Sequence, residues 1–287
     1  MRPEEFDFIA SLLKQRSGLQ LTREKIYLLE NRLTPIARQA GLDGINQLVQ
    51  LIQRERDEKL IEAVTEAMTT NESFFFRDGK PFDLFREHVM PSLRARNAAT
   101  RRIRIWCAAA STGQEPYSLA MILNEDADQW ADWRIEILAT DLSKAVLNKA
   151  RAGIYSQFEV QRGLPIRRLM AHFEQTGEMW QLKDDIRKMV QFQEFNLLND
   201  FRTLGKFDVV FCRNVLIYFD QDTKADILNR IHNIMPPHGM LFLGAAETVL
   251  GITDRFKPVP GQRGLYVTAE ARAGGFEGPS DLKSAAV

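Results

Sequence analysis

Cysteine is nearly absent: the 287-residue chain has two, Cys107 and Cys212. Each falls in a run that reads as a buried strand, and neither has a partner at metal-ligand spacing. That excludes a zinc site and a disulfide framework, and predicts two reduced core thiols. Net charge is missing as well, because 38 Lys and Arg balance 38 Asp and Glu. A bulk electrostatic drive toward nucleic acid or anionic lipid is thereby removed, while local basic faces remain open. No stretch approaches the ~20 apolar residues of a membrane span. The opening MRPEEFDFIASLLK carries acids and a helical period where a secretory signal needs a basic start and an unbroken apolar core. The protein is therefore expected in the cytoplasm. A full GxGxxG is also lacking, which argues against a pyrophosphate cradle.

What is present is ordinary in bulk and specific in places. Apolar residues at 45% and charged residues at 26% suit a globular protein with room for one large domain and a smaller one. Residues 103–118, IRIWCAAASTGQEPYS, pass from an apolar run through small residues and Gly113 into a helical pattern. A strand, a tight turn and a helix start are predicted, the geometry that holds a nucleotide-like ligand at the carboxyl edge of a parallel sheet. Small residues admit the backbone close to the ligand, and the following helix aims its amides at it. A ligand offering hydroxyls and a cation suits the acidic Glu115 better than a phosphate would.

The first seventy residues or so read as a small helical domain. Phe6, Ile9, Leu12 and Leu13 repeat at helical spacing until Gly18; Thr22 is placed to cap a second helix with Ile26, Leu29, Leu33 and Ile36 inward, closed by Gly41. Leu48, Leu51 and Ile52 begin a third helix, and Leu60, Ile61, Val64 and Met68 a fourth. On the second, Lys25 and Arg32 share one face, with Arg38 near its far end. Such a face is either merely solvated or a docking surface for an acidic partner.

Residues 69–85, TTNESFFFRDGKPFDLF, make neither an amphipathic helix nor an alternating strand, which suggests local packing around a site. NESFFFR, then WCAAASTGQEPYS, and later FCRNVLIYF closely resemble the CheR family of chemotaxis receptor methyltransferases. The resemblance runs from about Phe6 to Ala269 with three long motifs in the family's order. Ser73 stands where the family often has Thr, and Gln114 where it often has Glu; the first keeps a hydroxyl and the second leaves Glu115 intact.

That resemblance implies an α/β fold: a Rossmann-like S-adenosylmethionine-dependent methyltransferase sheet over residues 71–270, a helical domain over 1–70 and a small inserted β-subdomain at about 155–190. Within the insert, residues 179–182 are expected to pair with 189–195 as a hairpin. The short turn TGEMWQLKDD favours direct recognition of the receptor over a tether to its carboxyl terminus. RIEILAT, residues 134–140, reads as a second buried strand ending at Asp141, and Ser143 as the cap of the next helix. Asp141 is either a helix-entry residue, the reading for an Asp taken alone, or the acid that holds ribose hydroxyls in such folds, since a carboxylate accepts two hydrogen bonds from the vicinal pair. By resemblance, Asn71, Ser73, Arg77, Glu115, Asp141, Asn196, Leu197, Asn214 and Val215 hold the cofactor. FDVVFC, residues 207–212, is a continuous apolar run expected as a central strand. Residues 240–243 and 264–268 supply the last two strands, and residues 271–287 a floppy tail.

The implied reaction is attack of a receptor glutamate carboxylate on the methyl carbon of the sulfonium, giving a methyl ester and S-adenosylhomocysteine. A carboxylate with a reference pKa of about 4.3 is already ionised at neutral pH, so no general base is required. Arg77 is the choice for the cofactor's carboxylate or the incoming one, and Tyr218 for orienting the acceptor. Lys25, Arg32 and Arg38 become candidates for docking the acidic helical bundle of a chemoreceptor. Two rivals stand: a methyltransferase acting on RNA, a small molecule or another protein, and a non-catalytic S-adenosylmethionine-binding adaptor. The first predicts a basic groove or an NPPY-like loop, where this chain has RNVLIYF and no net charge.

Overall fold

The computed structural model describes residues 1–273; residues 274–287 of the expected tail lie outside the described residues. Four helices open the chain: α1 (Pro3–Ser17), α2 (Ile26–Gln39), α3 (Ile45–Glu55) and α4 (Glu58–Met68). Their apolar stripes meet in one buried cluster that includes Ile9, Leu13, Leu29, Leu33, Leu48 and Val64. Gly18 ends α1 in the left-handed region at φ 76°, its amide donating to the Lys14 carbonyl. Thr22 does not cap α2: a 3-10 turn, Arg23–Lys25, intervenes, and the Thr22 hydroxyl makes no cap bond.

Residues 69–79 are irregular, as their pattern suggests, but the chain turns helical at Lys80. Helix α5 (Lys80–Leu84) runs through a π turn (Phe85–Val89) into α6 (Met90–Arg96). Then come β1 (Arg102–Ala108), α7 (Gln114–Glu125), β2 (Arg134–Asp141), α8 (Lys144–Ala152), β3 (Ile154–Ser156), α9 (Gln157–Gln161), α10 (Ile166–His172), β4 (Phe173–Thr176) and β5 (Met179–Leu182). The remainder is α11 (Asp184–Arg187), β6 (Val190–Glu194), β7 (Val209–Cys212), α12 (Gln221–Asn233), β8 (Met240–Leu243), β9 (Phe256–Pro258), β10 (Leu265–Thr268) and α13 (Ala269–Ala273). The start of the expected tail is thus a short helix.

The main sheet has seven strands in the order β6-β2-β1-β7-β8-β10-β9, parallel except that β10 runs antiparallel to both its neighbours. Both faces are covered, which explains the unbroken apolar reading of β1. Ile103, Ile105 and Cys107 point into one cluster with Phe85, Leu119 and Phe211. Trp106 and Ala108 point into the other with Phe201 and Phe207. Both cysteines are free and buried, and burial pushes both thiols well up from their ordinary pKa.

The expected pairing of residues 179–182 with 189–195 is not formed. Gly177, at φ 61°, turns β4 back onto β5, and β3 pairs with the other edge of β5, giving a separate three-stranded sheet. β6 instead runs parallel to β2 at the edge of the main sheet, where Val190 is buried and Phe192 packs edge-on against Tyr117 at 5.5 Å. A short apolar run does not encode which neighbour it will pair with.

The insert is pinned to the aromatic segment. Phe75 is fully buried, with Tyr155 and Phe173 edge-on at 5.0 and 5.6 Å. Gly163 lies directly on it at φ 83°, where an added Cβ would sit 2.1 Å from the Phe75 carbonyl oxygen. Gly163→Ala is expected to destabilise the fold by about 2–4 kcal/mol through backbone strain and overpacking. Urea denaturation reads this as a lowered midpoint with unchanged slope.

Candidate active site

The strand order reverses between β1 and β7, whose carboxyl-end loops diverge and leave a crevice at the sheet edge. The resulting cleft encloses about 1020 Å³ including its open mouth. Its floor is Ala109, Ala110 and Ser111 after β1, with Ala109 at φ 57° and Ser111 at φ 51°. One wall comes from the ends of β2 and β6, the other from the loop after β7. Ser17 and Leu19, just past α1, also face it.

All nine expected cofactor residues line this cleft, and Tyr218 joins them. Asp141 ends β2 with both oxygens occupied by backbone, Oδ2 accepting from the Ser111 amide at 2.8 Å and Oδ1 from the Ser143 amide at 3.0 Å. Burial pushes its pKa up, against the opposing pull of these amides. Each oxygen keeps a further lone pair, so the carboxylate still accepts from outside. The Asn71 side-chain amide donates to the Thr69 hydroxyl at 3.0 Å, and the Asn71 carbonyl accepts from the Ser111 hydroxyl at 2.8 Å. Asn196 is a joint: its side-chain amide donates to the Arg16 carbonyl at 2.6 Å while its oxygen accepts from the Leu198 amide. The Tyr218 carbonyl accepts from the Gln20 amide at 2.8 Å.

Electrostatics centre on Glu115 and a residue that sequence reasoning passed over, Arg213. The Arg213 side chain is 1% exposed. Its guanidinium donates to Glu115 Oε2 at 2.8 Å, to Asp78 Oδ2 at 2.7 Å and to the Arg77 carbonyl at 2.9 Å. Burial pushes the Glu115 pKa up, and Arg213 is the strongest opposing influence. Arg77 lies half-buried, donating to the Glu72 carbonyl at 3.0 Å and standing over the Phe74 ring at 5.4 Å. The signal for Arg213 was its position, a charge following directly on a continuous apolar strand.

The three expected docking residues separate. Lys25 is exposed in the 3-10 turn before α2 and Arg38 is exposed near the end of α2. Arg32 instead turns toward α4, donating to the Met68 carbonyl at 2.8 Å and the Thr69 carbonyl at 2.7 Å. It satisfies the orphan carbonyls of a helix end and braces the irregular segment leading to Asn71.

The lining discriminates between ligands. Its two basic side chains are Arg77 and Arg213, and the second is already bound to two carboxylates. A polyphosphate is poorly matched, whereas Glu115 and Asp141 suit a cation and ribose hydroxyls. Leu142, Phe195, Leu197, Val215 and Phe219 supply apolar contact for a planar base. Fold and cleft together define a nucleoside-binding enzyme of the doubly wound α/β class, suited to a non-phosphorylated, cationic cofactor.

Residues 71–265 match the family described as CheR methyltransferase, SAM binding domain, and residues 4–69 match CheR methyltransferase, all-alpha domain. Chemotaxis protein methyltransferase 1 of Pseudomonas aeruginosa is 42% identical over 270 residues, covering 93% of this chain and 98% of that one. Chemotaxis protein methyltransferase Cher2 of Pseudomonas putida is 40% identical over 270 residues, with the same 93% and 98% coverage. The chemotaxis protein methyltransferase of Salmonella typhimurium is 36% identical over 256 residues, covering 88% of this chain and 86% of that one. The chain belongs to the CheR methyltransferase family and is an S-adenosylmethionine-dependent methyltransferase.

Proposed function

We propose that this protein methylates glutamate side chains in the cytoplasmic helical bundle of chemoreceptors, yielding glutamate methyl esters and S-adenosylhomocysteine. The observation that carries this reading is a cleft lined by no His, Cys or Lys among the described residues, with its two inner acids already engaged. Glu115 is paired with Arg213, and Asp141 is held by amides. An acceptor that arrives ionised needs no base, so a carboxylate is compatible with this lining. The relatives, which are chemotaxis protein methyltransferases, support the receptor as its bearer. Cytoplasmic action fits that partner, and no helix among the described residues is long and apolar enough to cross a membrane.

In this reading residues 71–270 form the methyltransferase domain, residues 1–70 a docking domain, and the insert at about 155–190 a recognition arm. Asn71, Ser73, Glu115, Asp141, Asn196, Leu197, Asn214 and Val215 hold the cofactor. When bound, it supplies an electrophilic methyl carbon. The Arg77 fork steers a carboxylate, Tyr218 orients the acceptor by a hydrogen bond, and the apolar walls exclude water. Alignment of this kind supplies roughly 7–11 kcal/mol of a barrier.

Tyr218→Phe is expected to slow methylation about 10- to 100-fold, the worth of one well-placed hydrogen bond, with cofactor affinity unchanged. A wild-type rate would remove Tyr218 from the mechanism. Docking through Lys25 and Arg38 predicts that added salt slows methylation while cofactor affinity barely moves; equal weakening of both counts against it. The function itself is tested by incubating the protein with labelled methyl donor and receptor fragments. Label released by mild alkali supports a glutamate ester, and alkali-stable label contradicts it.

A further inference from the structure

Glu247 follows β8, is 9% exposed, and is not among the residues lining the cleft. Its carboxylate nevertheless collects four backbone amides. Oε2 accepts from Gly244 at 2.7 Å and from Asn214 at 2.8 Å; Oε1 accepts from Val215 at 2.9 Å and, more loosely, from Ile217 at 3.3 Å. Three of these amides belong to the loop that carries Asn214, Val215 and Tyr218 to the cleft. The fourth, Gly244, directly follows β8, which pairs with β7 up to Cys212 and Leu243. The carboxylate therefore staples two neighbouring strand ends at the point where the chain enters the site.

The loop needs such a staple. Asn214 sits at φ 59°, in the left-handed region that asparagine reaches more readily than most residues with a side chain, and the amide contacts hold it there. Gly244 shows how closely the parts fit: an added Cβ would lie 2.6 Å from Asn214 Nδ2 and 2.8 Å from Glu247 Oε2. Chemistry at the position is equally restrictive. Each oxygen faces two N–H donors, so a glutamine would turn its own NH₂ against one pair.

We infer that Glu247 is a positioning residue for the methyl-transfer site: by binding the amides of Asn214, Val215, Ile217 and Gly244, it fixes the β7 loop in the conformation that receives the cofactor. The role depends on the cofactor cleft alone and holds whatever the methyl acceptor. The competing role is direct charge stabilisation of a cationic ligand, since Glu247 is near enough to Glu115 to contribute to its raised pKa.

Glu247→Gln in the full chain separates the two, with binding of S-adenosylmethionine and S-adenosylhomocysteine measured by calorimetry at a temperature where the variant is folded by circular dichroism. Positioning predicts that both ligands weaken equally, by about tenfold or more. It also predicts faster hydrogen exchange at the Asn214 and Val215 amides in the ligand-free protein. Gly244→Ala, which keeps the carboxylate but wedges the staple apart, should reproduce both effects and decides the matter should Glu247→Gln fail to fold. Unchanged affinity in the folded variant, as a merely structural carboxylate would give, overturns the inference. So does a loss confined to the sulfonium ligand.

Discussion

Arg213→Met is expected to weaken cofactor binding and to lower stability by about 3–5 kcal/mol, the usual consequence of removing one partner of a buried ion pair. Arg213 is the cation that satisfies Glu115 and Asp78 together, and Glu115 is already pushed toward its neutral form by burial. Without the guanidinium, the strongest influence opposing that push is gone and the pKa rises further. A protonated Glu115 no longer attracts a cation, so binding by the variant should return only as pH rises.

The same carboxylate gives the intact protein a signed pH dependence. Its folded pKa is raised above the unfolded value, so its contribution to stability is greatest at low pH. That contribution is lost as pH climbs from the ordinary carboxylate range through the raised folded value. If Glu115 meets the cofactor's charge as proposed, binding should strengthen over the same interval. Calorimetric titrations and urea melts across this window should therefore move in opposite directions. Parallel movement would mean that Glu115 does not meet the cofactor's charge.

Asp141→Ala carries the second large effect, an expected loss of cofactor affinity of about 10- to 100-fold from removing charge-assisted hydrogen bonds to the ribose. The substitution also releases the Ser111 and Ser143 amides, loosening the floor of the cleft. Asp141→Asn should fall close behind despite its similar shape. The side-chain nitrogen must face either Ser111 or Ser143, both of which donate. An affinity for S-adenosylhomocysteine equal to wild type in either variant would move the ribose elsewhere.

Much of this site was legible because its signals are local. The passage from β1 through Gly113 into α7 is written in consecutive residues, and the acid ending β2 follows from the rhythm of the fold. Helical stripes in the first seventy residues were legible for the same reason, since burial at a period of 3.6 leaves its mark in a window of a dozen residues. What escaped depends on distance in the chain. The pairing of β6 with β2 joins segments far apart in the chain, which no local pattern records, whereas the β4–β5 turn at Gly177 is local and was passed over. Arg32 reads as one more charge on a helix face until the carbonyls of α4 are beside it. Arg213 and Glu247 look like loop charges, and their importance lies in which buried groups meet them. Pairing, unlike periodicity, is not visible along a single segment.

A crystal structure with S-adenosylhomocysteine tests the central claim most directly. The account predicts the nucleoside in the cleft between Asn71, Glu115, Asp141 and Asn214, ribose hydroxyls on Asp141, with Tyr218 facing the sulfur from the open side. A nucleoside bound outside that cleft, or within it with the ribose turned away from Asp141, would contradict it.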